Sequence, residues 1–355
     1  MATAAAIEPR PFVSVVMPVR NEGPFMARSL GAVVRQSYPR DCFEVIVADG
    51  MSTDDTRSIV HAFAKDHPVR LIDNPAHIVS AGLNLALREA RGDIIVRIDG
   101  HCEIAEDYVE NCVQHLLREK VDVVGGPLQT VGQTPVAAAI AEAMSSRFGV
   151  GDSAFRTGQL RAFVDTVAFP ALTRALIDRA GPFDEELVRN QDDEYNYRLR
   201  KMGATILLAG DVRATYYSRS SLARLWRQYF QYGYWKVRVM QKHAWQMRPR
   251  QFVPPLFVGG LLLTILLAPL LNLAAIAAAS LAGLYLVANL AASLLKVGRV
   301  GWARAIFLPP AFAALHLGYG AGFLVGLLRF WNRWGDGAVH LPVTGSDGPA
   351  PINPS

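Results

Sequence analysis

Three cysteines are all that the chain offers for crosslinking or soft-metal chemistry. Cys42, Cys102 and Cys112 are odd in number and show neither metal-type nor redox-type spacing, so a disulfide framework is excluded and a reducing compartment is the natural setting. Runs of like charge are missing too. With 36 Lys+Arg against 31 Asp+Glu, the formal net charge of +5 is too small to argue for a nucleic acid partner. Residues Met1 to Pro11 lack the basic start and apolar core of a secretory leader, so the first large domain is expected on the cytoplasmic side. Charge is scarcest after Arg250, where only Lys296, Arg299 and Arg304 carry it as far as Leu328. The mean hydropathy of +0.18 therefore averages two unlike regions, and their junction is the main boundary in the 355 residues.

What is present before that boundary alternates. Short β-branched runs at 13–17, 44–48, 69–72, 93–98 and 122–124 are separated by stretches of helical spacing at 25–36, 56–65, 80–90 and 105–120. Asp54 and Ser80 stand where N-caps are expected. This alternation predicts an α/β domain with a mostly parallel central sheet, whose ligand sits at the carboxyl ends of the strands. Polar residues gather there: Pro18-Val19-Arg20-Asn21-Glu22 after the first strand, Asp49-Gly50 after the second, Asp99-Gly100-His101 after the fourth. Each alone reads equally well as a turn or cap; three together point to a site. Further on, helices are expected at 173–179 and 192–202, and strands at 206–208 and 212–216.

A long helix over 222–246 follows, rich in Trp226, Tyr229, Phe230, Tyr232, Tyr234, Trp235 and Trp245. Its mix of rings and cations suits the headgroup layer of a bilayer, with packing on the globular domain as the other reading. Lys236, Arg238, Lys242, Arg248 and Arg250 are expected to face anionic lipid. Apolar spans at 254–271, 274–295 and 305–328 are each near the ~20 residues needed to cross hydrocarbon. The first two form a hairpin with Asn272 at its tip. The third carries Pro309-Pro310 and His316, and if it crosses it puts Arg329 and Arg333 on the outside, against the positive-inside tendency. The organisation expected is a catalytic-type domain over 12–220, an interfacial amphipathic helix over 221–250, a transmembrane region over 251–330 with about three helices, and a disordered tail over 335–355.

From Phe12 to about Tyr234 the residues resemble the inverting family 2 glycosyltransferases, which have the GT-A fold. Pro18-Val19-Arg20-Asn21-Glu22 resembles the family's opening motif, and Val47-Ala48-Asp49-Gly50-Met51-Ser52-Thr53-Asp54-Asp55-Thr56 its second. The closest likeness within it is to bacterial exopolysaccharide enzymes of the succinoglycan type. The resemblance implies a nucleotide-sugar pocket built from Pro18, Arg20, Asn21, Glu22, Asp49, Asn84 and Asp99, with Asp49 accepting from the base or ribose. For Asn84 an ordinary place on a helix surface is an equal reading. Asp99-Gly100-His101 stands where the family has Asp-x-Asp. This implies a divalent cation, Mn2+ or Mg2+, on Asp99 and His101, and the imidazole favours Mn2+.

Asn190-Gln191-Asp192-Asp193-Glu194 resembles the family's Glu-Asp motif, which implies that Asp192 is the catalytic base. Asp165, Gln191, Asp193 and Glu194 are implied on the acceptor side or in support. Without the resemblance, acids at a helix N-terminus need only the helix dipole. Processive members have Gln-x-x-Arg-Trp where this chain has Gln228-Tyr229-Phe230-Gln231-Tyr232, which implies single-sugar addition.

Together these imply a hexosyl transfer from a UDP-sugar to a polyprenyl-diphosphate-linked or polysaccharide acceptor. The setting implied is a multi-pass protein of the bacterial inner membrane, in contact with the lipid bilayer, with its catalytic domain cytoplasmic and no nucleic acid partner. The rivals are a non-catalytic nucleotide-sugar-binding membrane scaffold, which the departures Gln191 and His101 keep open, and a processive polysaccharide synthase.

Overall fold

The computed structural model describes residues 10–157 and 161–335. From residue 336 on, the tail expected to be disordered lies outside the described residues. The strands are β1 (Val13–Val19), β2 (Phe43–Asp49), β3 (Val69–Asp73), β4 (Ile94–Arg97), β5 (Cys102–Ile104), β6 (Val123–Gly126), β7 (Leu128–Val131), β8 (Arg161–Phe163), β9 (Ala168–Thr173), β10 (Ile206–Ala209) and β11 (Ala214–Tyr217). Eight of them form one sheet in the order β3-β2-β1-β4-β9-β6-β10-β8. Only β9 and β8 run against the rest. Every residue of β1 and β2 is buried, as expected for strands covered on both faces. A small second sheet, β5-β11-β7, stands beside it.

The run 168–173 was not expected to be a strand, and its composition explains why. β9 lies in the middle of the sheet yet contains Pro170, which has no N–H to give to a ladder. The chain accommodates it with a register shift opposite Val124/Gly126 and a positive φ of 48° at Phe169. Two expected caps also move. Asp54 stands one residue before the cap position of helix Thr56–Phe63, accepting from Thr56 N at 3.0 Å and Gly23 N at 2.9 Å. Ser80 is not a cap at all: it lies inside helix Val79–Glu89, is fully buried, and donates to Leu187 O at 3.3 Å.

After the sheet comes one long helix, Leu222–Lys242. Its cations do not face lipid, which corrects the expectation for Lys236, Arg238 and Lys242. Arg238 is fully buried and donates to Glu186 at 2.8 and 3.1 Å, Lys242 reaches Glu186 at 2.7 Å, and Lys236 pairs with Asp193. A cation taken out of water needs a counter-charge, and these carboxylates belong to the globular domain. Burial alone would raise the Glu186 pKa, but hydrogen bonds from Arg238 and Lys242 outweigh it and hold the group at about 2. Arg248 is likewise paired, with Asp165 at 3.0 Å.

Among the described residues, three helical stretches are long and apolar enough to cross a membrane: Pro249–Leu267, Asn272–Leu294 and Trp302–Arg329. The first two are 11% buried, and Leu270 and Leu271 of the turn joining them are exposed. The loop after them returns to that domain, where Lys296 meets Glu142 at 2.9 Å. The third differs, being 50% buried. Leu308, Phe312 and Leu315 belong to the same core cluster as Ile140 and Met144 of helix Pro135–Met144. Just past its other end, Arg333 donates to Glu186 at 2.8 Å. Helix Leu308–Arg329 therefore rests on the globular domain at both ends and runs along Leu222–Lys242. The two helices meet through glycine: a Cβ on Gly322 would stand 2.0 Å from Phe230 O, and one on Gly233 would stand 2.0 Å from Tyr319 O. Trp226, Trp245, Trp302, Trp331 and Trp334 are exposed in this region.

Candidate active site

The carboxyl ends of β1 and β4 open into a cleft of about 750 Å³. After β1 the chain turns sharply at Asn21, whose φ is 54°. That turn is tied to the second motif: Asn21 N donates to Ser52 Oγ, Thr53 N donates to the Asn21 side-chain oxygen Oδ1, and Glu22 N donates to Thr56 Oγ1, each at 2.8 Å. Pro18, Arg20, Asn21 and Glu22 consequently all line the cleft. On the next strand over, Arg97 and Asp99 share one face because side chains alternate. They meet at 3.1 Å, and two residues further His101 Nδ1 donates to Glu22 at 2.9 Å.

The opposite wall is the start of helix Gln191–Lys201, entered through Asn190 in left-handed backbone with φ 63°. Gln191 and Asp192 both line the cleft. Asp192 is exposed there, and one of its oxygens accepts from Asp193 N at 2.9 Å. Arg97 links the two walls electrostatically. Burial would lower its pKa, but the charges of Asp99 and then Asp192 outweigh that and raise it. The Arg97 Nε is buried with no hydrogen-bond partner among the described residues, and so is the Gln191 side-chain oxygen, on a residue only 5% exposed. Both residues line the cleft, and each keeps one buried polar atom unpaired among the described residues.

Two expected pocket residues are not on its wall. The Asp49 side chain is fully buried; its oxygens take Ser52 N at 3.0 Å, Ser52 Oγ and Arg57 Nη1 at 2.8 Å. These bonds brace the second motif. Asn84 is also spent: it donates to Phe183 O at 2.9 Å and Glu185 at 2.8 Å, and accepts from Phe183 N at 2.8 Å. Asp193 and Glu194 support the helix, the first through Lys236 and the second, fully buried, through Arg198 at 2.6 Å and His243 at 2.9 Å. Asp165 faces Arg248.

The cleft holds cations that the sequence reading passed over. Arg97, Arg156, Arg189 and Arg219 line it together with Arg20 and Arg224. Of these six only Arg97 has a carboxylate partner among the described residues. Arg219 bonds a neutral Gln228 at 3.3 Å, and Gln228 in turn donates to Tyr232 at 2.8 Å, so the Gln-x-x-Gln-Tyr stretch frames the cleft. Strand alternation from Asp99 could have found Arg97. No local signal marks Arg156 or Arg219.

Such a wall suits a diphosphate. For a divalent cation the described residues offer no group of three or more His, Cys, Asp or Glu ligands. Asp99 and His101 nevertheless fit one, since a cation that shares its shell with substrate phosphates needs only one or two protein ligands. His101 Nε2, with no hydrogen bond among the described residues, is the ring nitrogen left for it.

Known proteins resemble this chain over most of its length. The family described as Glycosyl transferase family 2 matches residues 14–179. Succinoglycan biosynthesis protein ExoA of Rhizobium meliloti (strain 1021) is 34% identical over 255 residues, 70% of this chain and 77% of that one. A dolichyl N-acetyl-alpha-D-glucosaminyl phosphate 3-beta-D-2,3-diacetamido-2,3-dideoxy-beta-D-glucuronosyltransferase of Methanococcus voltae is 25% identical over 65% of this chain and 74% of its own length. Among solved structures, the mannosyltransferase PcManGT from Pyrobaculum calidifontis, in complex with GDP-Man and Mn2+, superimposes with a TM-score of 0.55 and 25% identity, over 90% of this chain and 88% of that one.

Because Asn84 is a clamp in this geometry, Asn84→Ala should cost about 1–3 kcal/mol of stability by stranding buried partners and leave UDP affinity within about twofold. Thermal unfolding and a UDP titration check the two halves separately.

Proposed function

The chain belongs to glycosyl transferase family 2, an enzyme family of glycan biosynthesis with the GT-A fold, and from that premise we propose a specific reaction. It transfers a hexose from a nucleotide diphosphate sugar, a UDP-sugar first, to a lipid-linked saccharide or a polysaccharide. The observation that carries this reading is the placement of Asp99 and Asp192 on facing walls of one cleft, each close enough to act on Arg97.

In this reading Asp192 takes the proton of the acceptor hydroxyl as its oxygen attacks the anomeric carbon. The bond from that carbon to the diphosphate breaks on the opposite side, so one displacement inverts the centre and one base suffices. Asp192 is suited to it: it is open to the cleft, while the acids beside it are held by Lys236 and by Arg198 and His243. Gln191 lines the cleft beside it on the acceptor side. The leaving diphosphate meets Arg97 and Arg219, fixed charges that stabilise it where it forms. A divalent cation held by Asp99 and His101 would add further neutralisation of that charge when bound. The Mn2+ in the Pyrobaculum calidifontis enzyme supports the cation, and its GDP-Man makes GDP-sugars the donors to try beside UDP-sugars. The Methanococcus voltae relative, named for a lipid-phosphate-linked acceptor, supports an acceptor of that class.

Asp192→Asn should lower transfer of radiolabel from UDP-sugars to membrane lipid by about 10²–10⁴-fold, the usual worth of a general base, while UDP still binds. Unchanged transfer in that variant removes the assigned base. Lost UDP binding together with lost transfer points to a disturbed fold instead.

We also propose that only the first two apolar helices cross the bilayer. The third, seated on the domain at both ends, lies at the membrane surface, with the exposed tryptophans at headgroup level. A single cysteine introduced at Gly335 should then label from the same side as one at exposed Arg40 in sealed vesicles. Labelling of the two from opposite sides would show that the third helix spans.

A further inference from the structure

Residues 181–190 carry the chain into helix Gln191–Lys201 with no regular structure. Nothing in that loop's own backbone pairing fixes how far Asp192 projects into the cleft. Asn84 and Ser80 hold its first part, at Phe183, Glu185 and Leu187, from the globular side; the part nearest Asp192 is fixed from the membrane side. Asn190 Nδ2 donates to Tyr232 O at 2.8 Å and Arg189 Nε to Gln231 at 3.1 Å, both on the long helix. On either side of the base's position, carboxylates meet buried basic side chains of the long helix and of the residue after it. Glu186 holds Arg238, Asp193 holds Lys236, and Glu194 meets His243 at 2.9 Å.

Arg238 is 0% exposed, Lys236 2% and His243 6%, so these groups have no water to fall back on. Arg238 also donates to Arg333 O at 3.1 Å, just beyond helix Leu308–Arg329. The two helices are in turn locked by the Gly322 and Gly233 crossings.

We infer that Lys236, Arg238 and His243 are positioning residues for Asp192, so that sugar transfer, but not donor binding, depends on how the paired helices Leu222–Lys242 and Leu308–Arg329 are seated. The inference rests on Asp192 being the base. The donor side of the cleft, built from β1, β4 and the Asn21 turn, draws on none of these ion pairs; its tie to the long helix is Arg219 on Gln228, about two turns before Lys236. The wall bearing Asp192 depends on them. A displacement of about 1 Å at a catalytic group can cost on the order of 10²-fold in rate.

The test uses the full chain in lipid nanodiscs, with radiolabelled UDP-glucose and GDP-mannose supplied together at saturation and a membrane lipid extract as acceptor. Glu186→Gln keeps the shape of the side chain and removes the charge facing Arg238. It should lower the transfer rate about 10²-fold and leave UDP and GDP affinities, by calorimetry, within about threefold. Glu186→Asp, which keeps the charge, should recover most of the loss. Gly322→Val disturbs the same device from the far side of the long helix and should show the same split between rate and affinity. The double variant should be no slower than the slower single one, because both act through one coupling.

Full transfer rate in both single variants overturns the inference, as does nucleotide affinity that falls in step with rate. Should Glu186→Gln be harmless while Asp192→Asn is inactive, only the positioning claim fails. Should Asp192→Asn be active, the function reading fails first.

Discussion

A guanidinium that leaves water must find negative charge on the protein or on a ligand, since an unpaired buried ion costs several kcal/mol. Two arginines put that constraint at the centre of this fold. Arg97, at the end of β4, answers to Asp99 beside it and to Asp192 across the cleft, yet keeps one buried N–H without a partner among the described residues. Arg238, sealed in the long helix, answers to Glu186 on the loop that leads to Asp192. The first draws two walls around a space for an anion. The second fastens one of those walls to the helices that follow.

Sheet topology explains why these charges can meet. β1 and β4 are neighbours and end at the same edge, so the Asn21 turn and Asp99 arrive together. β9 and β6 then extend the sheet, and helix Gln191–Lys201 comes back over that edge with its acidic first turn toward the cleft. Everything beyond residue 221 could have been a plain anchor. The ion pairs of Lys236, Arg238 and Lys242 make it part of the domain instead, and the glycine-lined crossing with helix Leu308–Arg329 makes the pair of helices one body.

Much of the domain was legible in the sequence because its signals are local. The β-branched runs of β1, β2 and β3, the polar turns after β1 and β4, and the acids opening helix Gln191–Lys201 each announce themselves within a few residues, and Glu22, Asp99, His101, Gln191 and Asp192 do reach one cleft. What could not be read depends on distant partners. Asn84 looks like any polar residue of its helix until Phe183, 99 positions away, is seen to consume it. Asp49 is drawn from the wall by near partners instead, Ser52 and Arg57, whose spacing in the sequence does not show that both turn back on it. The cations of the long helix match a lipid-facing pattern by composition, and only tertiary packing turns them inward. Pro170 hid β9 because a central strand with a proline needs a bulge that sequence patterning does not display.

The central claim is that one displacement, with Asp192 as its only base, takes place between the walls that Arg97 joins. Proton NMR of the product, made from an α-linked nucleotide sugar, reads this directly from the configuration at the transferred anomeric carbon. The account predicts a β-linked product, the configuration inverted in a single step. An α-linked product would require a second displacement and a nucleophile that this cleft has not been given, and would contradict it.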